Sequence, residues 1–224
     1  VSATTRAATS DRLPRGPHRL SRDEVVSHQR ERLLTAVAAA VAAKGYGATT
    51  IGDITGRARV SRDTFYEQFT SKEQCFLAAY DEITSALLAE IVAVGTSQPD
   101  YVEGVRDGIR AYLKFWSDHD AAARAFTIDI LEVGESAYAH RERILDSMTR
   151  LFSSIAVRAE AEQGGLPTIP AVVPRAIVIA TVDLTTEYVR HGRASALPEL
   201  EDDMLYLWLM GLAGHDTAAA AVAR

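Results

Sequence analysis

The chain has 224 residues, 47% hydrophobic and 24% charged, enough to close one sizeable core or two small ones, which excludes a disordered tail protein and a disulfide-stapled miniature. Its longest unbroken apolar run, residues 36–43, is far below the roughly 18 residues of a membrane span, and no charged-then-apolar leader opens it, so a cytoplasmic protein without membrane contact is expected. The net charge of −6 argues against a nucleic-acid partner, yet residues 1–75 hold 12 Lys and Arg against 8 Asp and Glu, and residues 76–224 hold 12 against 22.

Residues 1–24 form a basic stretch with Arg6, Arg12, Arg15, Arg19 and Arg22, interrupted by Pro14, Gly16 and Pro17. It reads either as a flexible tail or as an arm that tracks DNA. From about Val25, Leu33, Leu34, Val37 and Val41 recur at helical spacing until Gly45 and Gly47. Thr50-Ile51-Gly52-Asp53 resembles a capping box and opens a short helix to about Ala58. Ser61 caps a third helix, to about Gln68, with Phe65 and Phe69 facing inward. Ser71-Lys72-Glu73-Gln74 opens a long fourth helix to about Val94, with Phe76, Leu77, Tyr80, Ile83, Leu87, Leu88 and Ile91 in one stripe.

Residues 95–100 read as a breaker. Helices are then expected over about 101–117, 121–133, 135–162, 174–191 and 199–214, with a Gly/Pro loop at residues 164–170 and an alanine-rich end. No segment alternates with period two and no unit repeats, so the fold class is all-α. The expected organisation is an arm (1–24), a helix-turn-helix domain (25–71) and a larger helical domain for ligand binding and dimerisation (72–224). Single Cys75 has no disulfide partner and reads as a small buried apolar residue.

The second and third helices have the dimensions of a helix-turn-helix, whose second helix enters the major groove. With Phe65 and Phe69 turned inward, Arg62, Thr64, Tyr66 and Gln68 fall on the opposite surface or its edges. Arg forks onto guanine, Thr meets a thymine methyl or a phosphate, and Tyr and Gln donate to phosphate oxygens. Thr50, Ser61 and Lys72 stand at three helix starts, which favour phosphate.

Gly45-Tyr46, Ala48-Thr49-Thr50, Ile51-x-x-Ile54, Val60-Ser61-Arg62-x-Thr64-Phe65-Tyr66 and Phe69-x-Ser71-Lys72-Glu73 together resemble the DNA-binding region of TetR (tetracycline-repressor-like) transcription regulators. The resemblance covers residues 29–81, about a quarter of the chain. It implies DNA contacts for Arg62, Thr64, Tyr66, Gln68 and Lys72, with Thr50 on the backbone, and a homodimer on a palindromic double-stranded operator. Arg59 stands where a turn glycine is common: either it tolerates a positive backbone angle, or the turn differs, and it is a further candidate phosphate contact. Gln68 stands where a histidine is common.

The helices over 174–191 and 199–214 ask to be buried on two sides: Ile177, Leu184 and Tyr188 form one stripe of the former and Val178, Val182 and Val189 another. Dimerisation through this pair is expected, with a monomer that buries both sides as the alternative. Tyr112, Phe115, Trp116, Phe126, Tyr138, Met148 and Phe152, with Asp129 and Glu187 as polar anchors, are candidates to line a pocket for a small, mainly apolar effector. They would otherwise be ordinary core. No histidine pair has metal-ligand spacing, and no nucleophile elbow, phosphate loop or dinucleotide fingerprint appears, so neither an enzyme nor a cofactor is expected. The reading is a ligand-released repressor. Its alternatives are a DNA-binding regulator controlled by a protein partner and, further off, a helical enzyme.

Overall fold

The computed structural model describes residues 21–223. Most of the expected basic arm, residues 1–20, lies outside the described residues. The elements are α1 (Arg22–Lys44), α2 (Ile51–Ala58), α3 (Arg62–Gln68), α4 (Lys72–Thr96), α5 (Tyr101–Asp118), α6 (Asp120–Thr127), a 3-10 turn (Asp129–Glu132), α7 (Glu135–Gln163), α8 (Val172–Arg190), a second 3-10 segment (Ala194–Leu200), α9 (Glu201–Ala213) and α10 (His215–Val222). No strand occurs among the described residues, and none of their helices is long and apolar enough to cross a membrane.

The start of α1 is a reciprocal cap. The Ser21 hydroxyl accepts from the Glu24 N–H at 3.2 Å, and the Glu24 carboxylate accepts from the Ser21 N–H at 2.6 Å. The helix therefore begins three residues before the first apolar position, Val25. Its buried face, from Leu33 to Val41, packs against α2, α4 and α6. Ile54, Ala58, Phe65, Phe69, Cys75 and Phe76 complete this small core. In Cys75 burial pushes the thiol up to about 12, which keeps it protonated and inert.

Four expected boundaries shift, each for a local reason. Gly95 does not break α4. The helix continues to Thr96 because the bare Gly95 backbone meets Gly104 of α5, where an added Cβ on Gly104 would stand 2.6 Å from the Gly95 carbonyl oxygen. The helix expected over 121–133 ends at Thr127 and gives way to the 3-10 turn, since β-branched Thr127 and Ile128 are poor helix formers and the turn buries Asp129 and Ile130. Helix α8 starts at Val172, with Pro174 in the first turn, where its missing N–H leaves no bond unmade. The helix expected over 199–214 starts at Glu201, behind a 3-10 segment containing Pro198, and ends at Gly214 (φ 92°), beyond which the alanine-rich end forms α10.

The larger core is held by α5, α7, α8 and α9 around Val105, Ile109, Leu113, Leu145, Phe152, Val178, Leu205 and Leu209. Arg110 forks onto the Glu201 carboxylate at 2.9 and 2.7 Å, and Arg106 donates to the Ala221 carbonyl at 2.6 Å, which ties α5 to α9 and α10. Helix α4 contacts α1, α5 and α7, and the buried apolar residues at its two ends belong to one continuous cluster.

Candidate nucleic-acid interface and effector cavity

The turn between α2 and α3 is set by Arg59, which adopts the left-handed conformation (φ 52°, ψ 46°) as the C-cap of α2. The positive angle is tolerated at a cost of roughly 1 kcal/mol relative to glycine. Arg32 of α1 donates to the Arg59 carbonyl at 3.1 Å, a fastening available only because that carbonyl has left the helix. At the other end of α2, the Thr50 hydroxyl accepts from the Asp53 N–H, while the Asp53 carboxylate accepts from the Thr50 N–H at 2.8 Å and from Lys44 at 2.6 Å. Lys44 and Thr50 hold the Asp53 carboxyl well below the usual carboxylate range.

Helix α3 buries Phe65 completely and is followed by buried Phe69, over whose ring the Arg30 guanidinium lies at 4.6 Å. That orientation leaves Ser61, Arg62 and Tyr66 exposed and Thr64 half-buried. The Ser61 hydroxyl accepts from the Thr64 N–H at 3.0 Å and pairs with the Thr64 hydroxyl at 2.9 Å, so both are oriented at the helix start. Two expected contact residues are already engaged. The Gln68 amide donates to the Val26 carbonyl at 3.1 Å and ties α3 to α1. The Lys72 ammonium lies 4.0 Å over the Tyr46 ring and donates to the Tyr46 carbonyl at 2.7 Å; burial lowers its pKa. Each keeps further N–H donors, one on the Gln68 amide and two on the Lys72 ammonium. Arg57, exposed on α2, was not among the residues the sequence pattern singled out.

A cavity of about 190 Å³ lies between α4, α5, α7, α8 and α9, walled by Ile91, Val105, Ile109, Leu151, Ile155 and Trp208 among others. A second chamber of about 50 Å³, towards α6, is bordered by Tyr80, Trp116, Phe126, Thr127, Arg141 and Leu145 among others. Tyr112 and Met148 border both. Burial pushes the Tyr80 and Tyr112 hydroxyls up to about 12, so both are neutral groups. Polar order at the larger chamber comes from the Trp208 indole N–H, which donates to the Thr181 hydroxyl at 2.9 Å. Arg158 donates to the Gly95 and Gln98 carbonyls at 3.2 and 2.9 Å.

Of the nine residues expected around a pocket, Tyr112, Trp116, Phe126 and Met148 border these chambers. The other five do not. Phe115 stacks on His119, with ring centroids 4.5 Å apart. Phe152 is fully buried against Trp208, and Tyr138 is half-exposed on the outer side of α7. Glu187 faces solvent on α8. Asp129 is buried in the 3-10 turn with Oδ2 unpartnered and borders neither chamber. Missed were Ile91, Gly104, Gly108, Arg141, Thr181 and Trp208. The glycine pair Gly104 and Gly108, one turn apart inside an amphipathic helix, was the available signal for a close helix crossing beside a void. Among the described residues no group of three His, Cys, Asp or Glu side chains is placed to hold a metal ion.

Residues 33–79 match the family model described as bacterial regulatory proteins, tetR family. The chain is similar to the HTH-type transcriptional regulator EthR of Mycolicibacterium smegmatis (29% identity, 73% of this chain and 75% of that protein). It is also similar to the regulator of the same name from Mycobacterium tuberculosis (24% identity, 95% of this chain and 99% of that protein). Its fold resembles that of the transcriptional regulator FadR of Bacillus subtilis, solved in complex with stearoyl-CoA (TM-score 0.73, 16% identity, 81% of this chain and 98% of that one).

Proposed function

From the premise that the chain belongs to the tetR family of bacterial regulatory proteins and is a DNA-binding transcriptional regulator, we propose that it is a homodimeric repressor released from a palindromic operator by a small, mainly apolar effector. The observation that carries the reading is the polarity of α3. Its Phe65 side is sunk in the core while Arg62 and Tyr66 stand at the surface, the arrangement a helix needs to enter a major groove. Arg62 reads a base edge, Thr64 and Tyr66 contact the backbone or a thymine methyl, and Thr50, Ser61, Lys72 and the remaining Gln68 donor hold phosphates. Arg59, at the turn, is a further phosphate contact.

Effector binding is assigned to the two chambers. Their walls are built on α4, whose first residue, Lys72, belongs to the DNA-binding side and whose Ile91 and Gly95 border the larger chamber. A ligand acts only through its different affinity for two arrangements of the protein, and an apolar guest that alters the α4–α5 spacing changes the relative position of the two recognition helices. The stearoyl-CoA bound to the FadR neighbour is a precedent for an apolar chain within this fold.

The test is selection of bound sequences from random DNA. A near-palindrome with half-sites about one helical turn apart is expected, and Arg62→Ala is expected to relax the preference at one position per half-site at a cost of about 1–3 kcal/mol. Failure to enrich any palindrome, or unchanged selectivity in Arg62→Ala, overturns the assignment of α3.

A further inference from the structure

The two chambers differ in chemistry. The larger is walled chiefly by aliphatic and aromatic carbon and opens to solvent beside exposed Val92, Thr96 and Ser154; its volume is slightly above the roughly 150 Å³ that accommodates benzene. The smaller, about 50 Å³, has room for a group equivalent to one or two waters at roughly 30 Å³ each, and its wall carries neutral hydroxyls (Tyr80, Thr84, Tyr112, Thr127) and a guanidinium but no carboxylate. The Trp116 indole N–H, in a side chain only 4% exposed, makes no hydrogen bond of good geometry, its one interaction being with the neighbouring Tyr112 hydroxyl. The Thr127 hydroxyl is buried without a partner.

Arg141 supplies a charge at the same chamber. It is half-buried, borders the space, and has no hydrogen bond or ion pair among the described residues. Three carboxylates on and beside α7 are committed elsewhere: Asp81 to His140 at 2.7 Å and Arg143 at 3.1 Å, and Glu142 and Asp146 to Arg175. Buried Asp129 interacts with Arg124 and Glu132. The field of Arg141 is instead felt by the Tyr80 hydroxyl, on the α4 wall of the chamber. A cation and two neutral donors thus border one small space that has hydroxyl oxygens but no carboxylate on its wall, and buried donors of this kind are normally satisfied.

Resting on the effector reading above, we propose that the effector is an amphipathic carboxylic acid. Its carboxylate occupies the smaller chamber and accepts from Arg141, the Trp116 indole and the Thr127 hydroxyl. Its apolar chain passes Tyr112 and Met148 into the larger chamber. A neutral ester, alcohol or amide leaves the guanidinium without a counter-charge, so the site selects for the ionised acid.

Both tryptophans of the chain, Trp116 and Trp208, border the chambers, so intrinsic fluorescence reports occupancy directly. The full chain is titrated with decanoate, decan-1-ol and decanamide, and operator binding is measured in parallel. Decanoate is expected to bind at least tenfold more tightly than either neutral analogue. Arg141→Met should abolish that preference with the alcohol affinity unchanged within about twofold, and Arg141→Lys should restore part of it. Thr127→Val, which replaces one hydroxyl by a methyl, should reduce the preference severalfold and serves if Arg141→Met does not fold. Equal binding of acid and alcohol, persistence of the preference in Arg141→Met, or no binding of the acid overturns the proposal. A neutral analogue that binds as well and releases DNA overturns the head-group assignment alone, whereas an acid bound with the stated preference that leaves DNA affinity unchanged overturns the effector reading alone.

Discussion

Asp129 carries a carboxyl in the wrong medium. It is 3% exposed, its Oδ2 has no partner, and burial raises its pKa against the opposing pull of Arg124. A carboxyl whose folded pKa lies above the unfolded value binds its proton more readily in the native state. Its cost is therefore absent below the ordinary Asp range near 3.9, grows as pH rises towards the raised folded value, and is complete above it. Asp129→Asn removes the buried charge and should stabilise the protein at neutral pH, and the gain should shrink to nothing below about pH 4. Urea unfolding at fixed protein concentration, at pH 8 and pH 4, checks both limbs. Single residues were unevenly legible in the sequence. Thr50 and Asp53 form the expected cap, and Arg59 at a glycine's place proved to be a left-handed residue. Which aromatics face a void was not legible, because Met148 and Phe152 lie one turn apart on the same stripe of α7, and only the packing of Trp208 against Phe152 separates them.

Helix positions were legible wherever a cap and an apolar stripe coincided, as at Ser61 and Ser71, whose hydroxyls each accept the N–H three residues on. Legibility failed where tertiary contact overrides a local signal. Gly95 is a breaker by propensity, yet in the fold it is the surface on which α5 rests, and its carbonyl accepts from Arg158 at 3.2 Å. Adding a Cβ at Gly104 forces α4 and α5 apart, since backbone cannot yield as a flexible side chain does. Gly104→Ala should therefore cost about 1–3 kcal/mol, read as a lowered urea midpoint with an unchanged slope. The same variant should alter ligand uptake by the larger chamber, because Gly95, Gly104 and Gly108 form part of its wall. A control at exposed Gly47, where a Cβ meets nothing within 4 Å, should leave uptake unchanged.

At the scale of the molecule, the net charge of −6 is the sum of a basic N-terminal third and an acidic remainder. An acidic remainder of this size disfavours indiscriminate contact with nucleic-acid phosphates. The monomer also leaves apolar groups in water on adjacent α8 and α9: Ile179 is 42% exposed, Leu184 37% and Met210 53%. These sides of the two helices are the proposed dimer contact, an expectation raised by the two-sided apolar pattern of α8, whose stripes contain Leu184 but not Ile179. Leu184→Glu places a charge there and should give a monomer at micromolar concentration by light scattering. Operator affinity should fall at least a hundredfold, while the helical spectrum is retained.

Continuity of α4 imposes one more condition. One rigid element of 25 residues, about 37 Å long at 1.5 Å per residue, serves both the DNA-binding core and the chamber wall. Coupling free energy between two equilibria is a single quantity, the same whichever ligand binds first. An effector that weakens operator binding a hundredfold must itself be held a hundredfold more weakly by the operator-bound dimer. If the proposed effector and operator act in this way, operator DNA is a competitor of the effector at a distance.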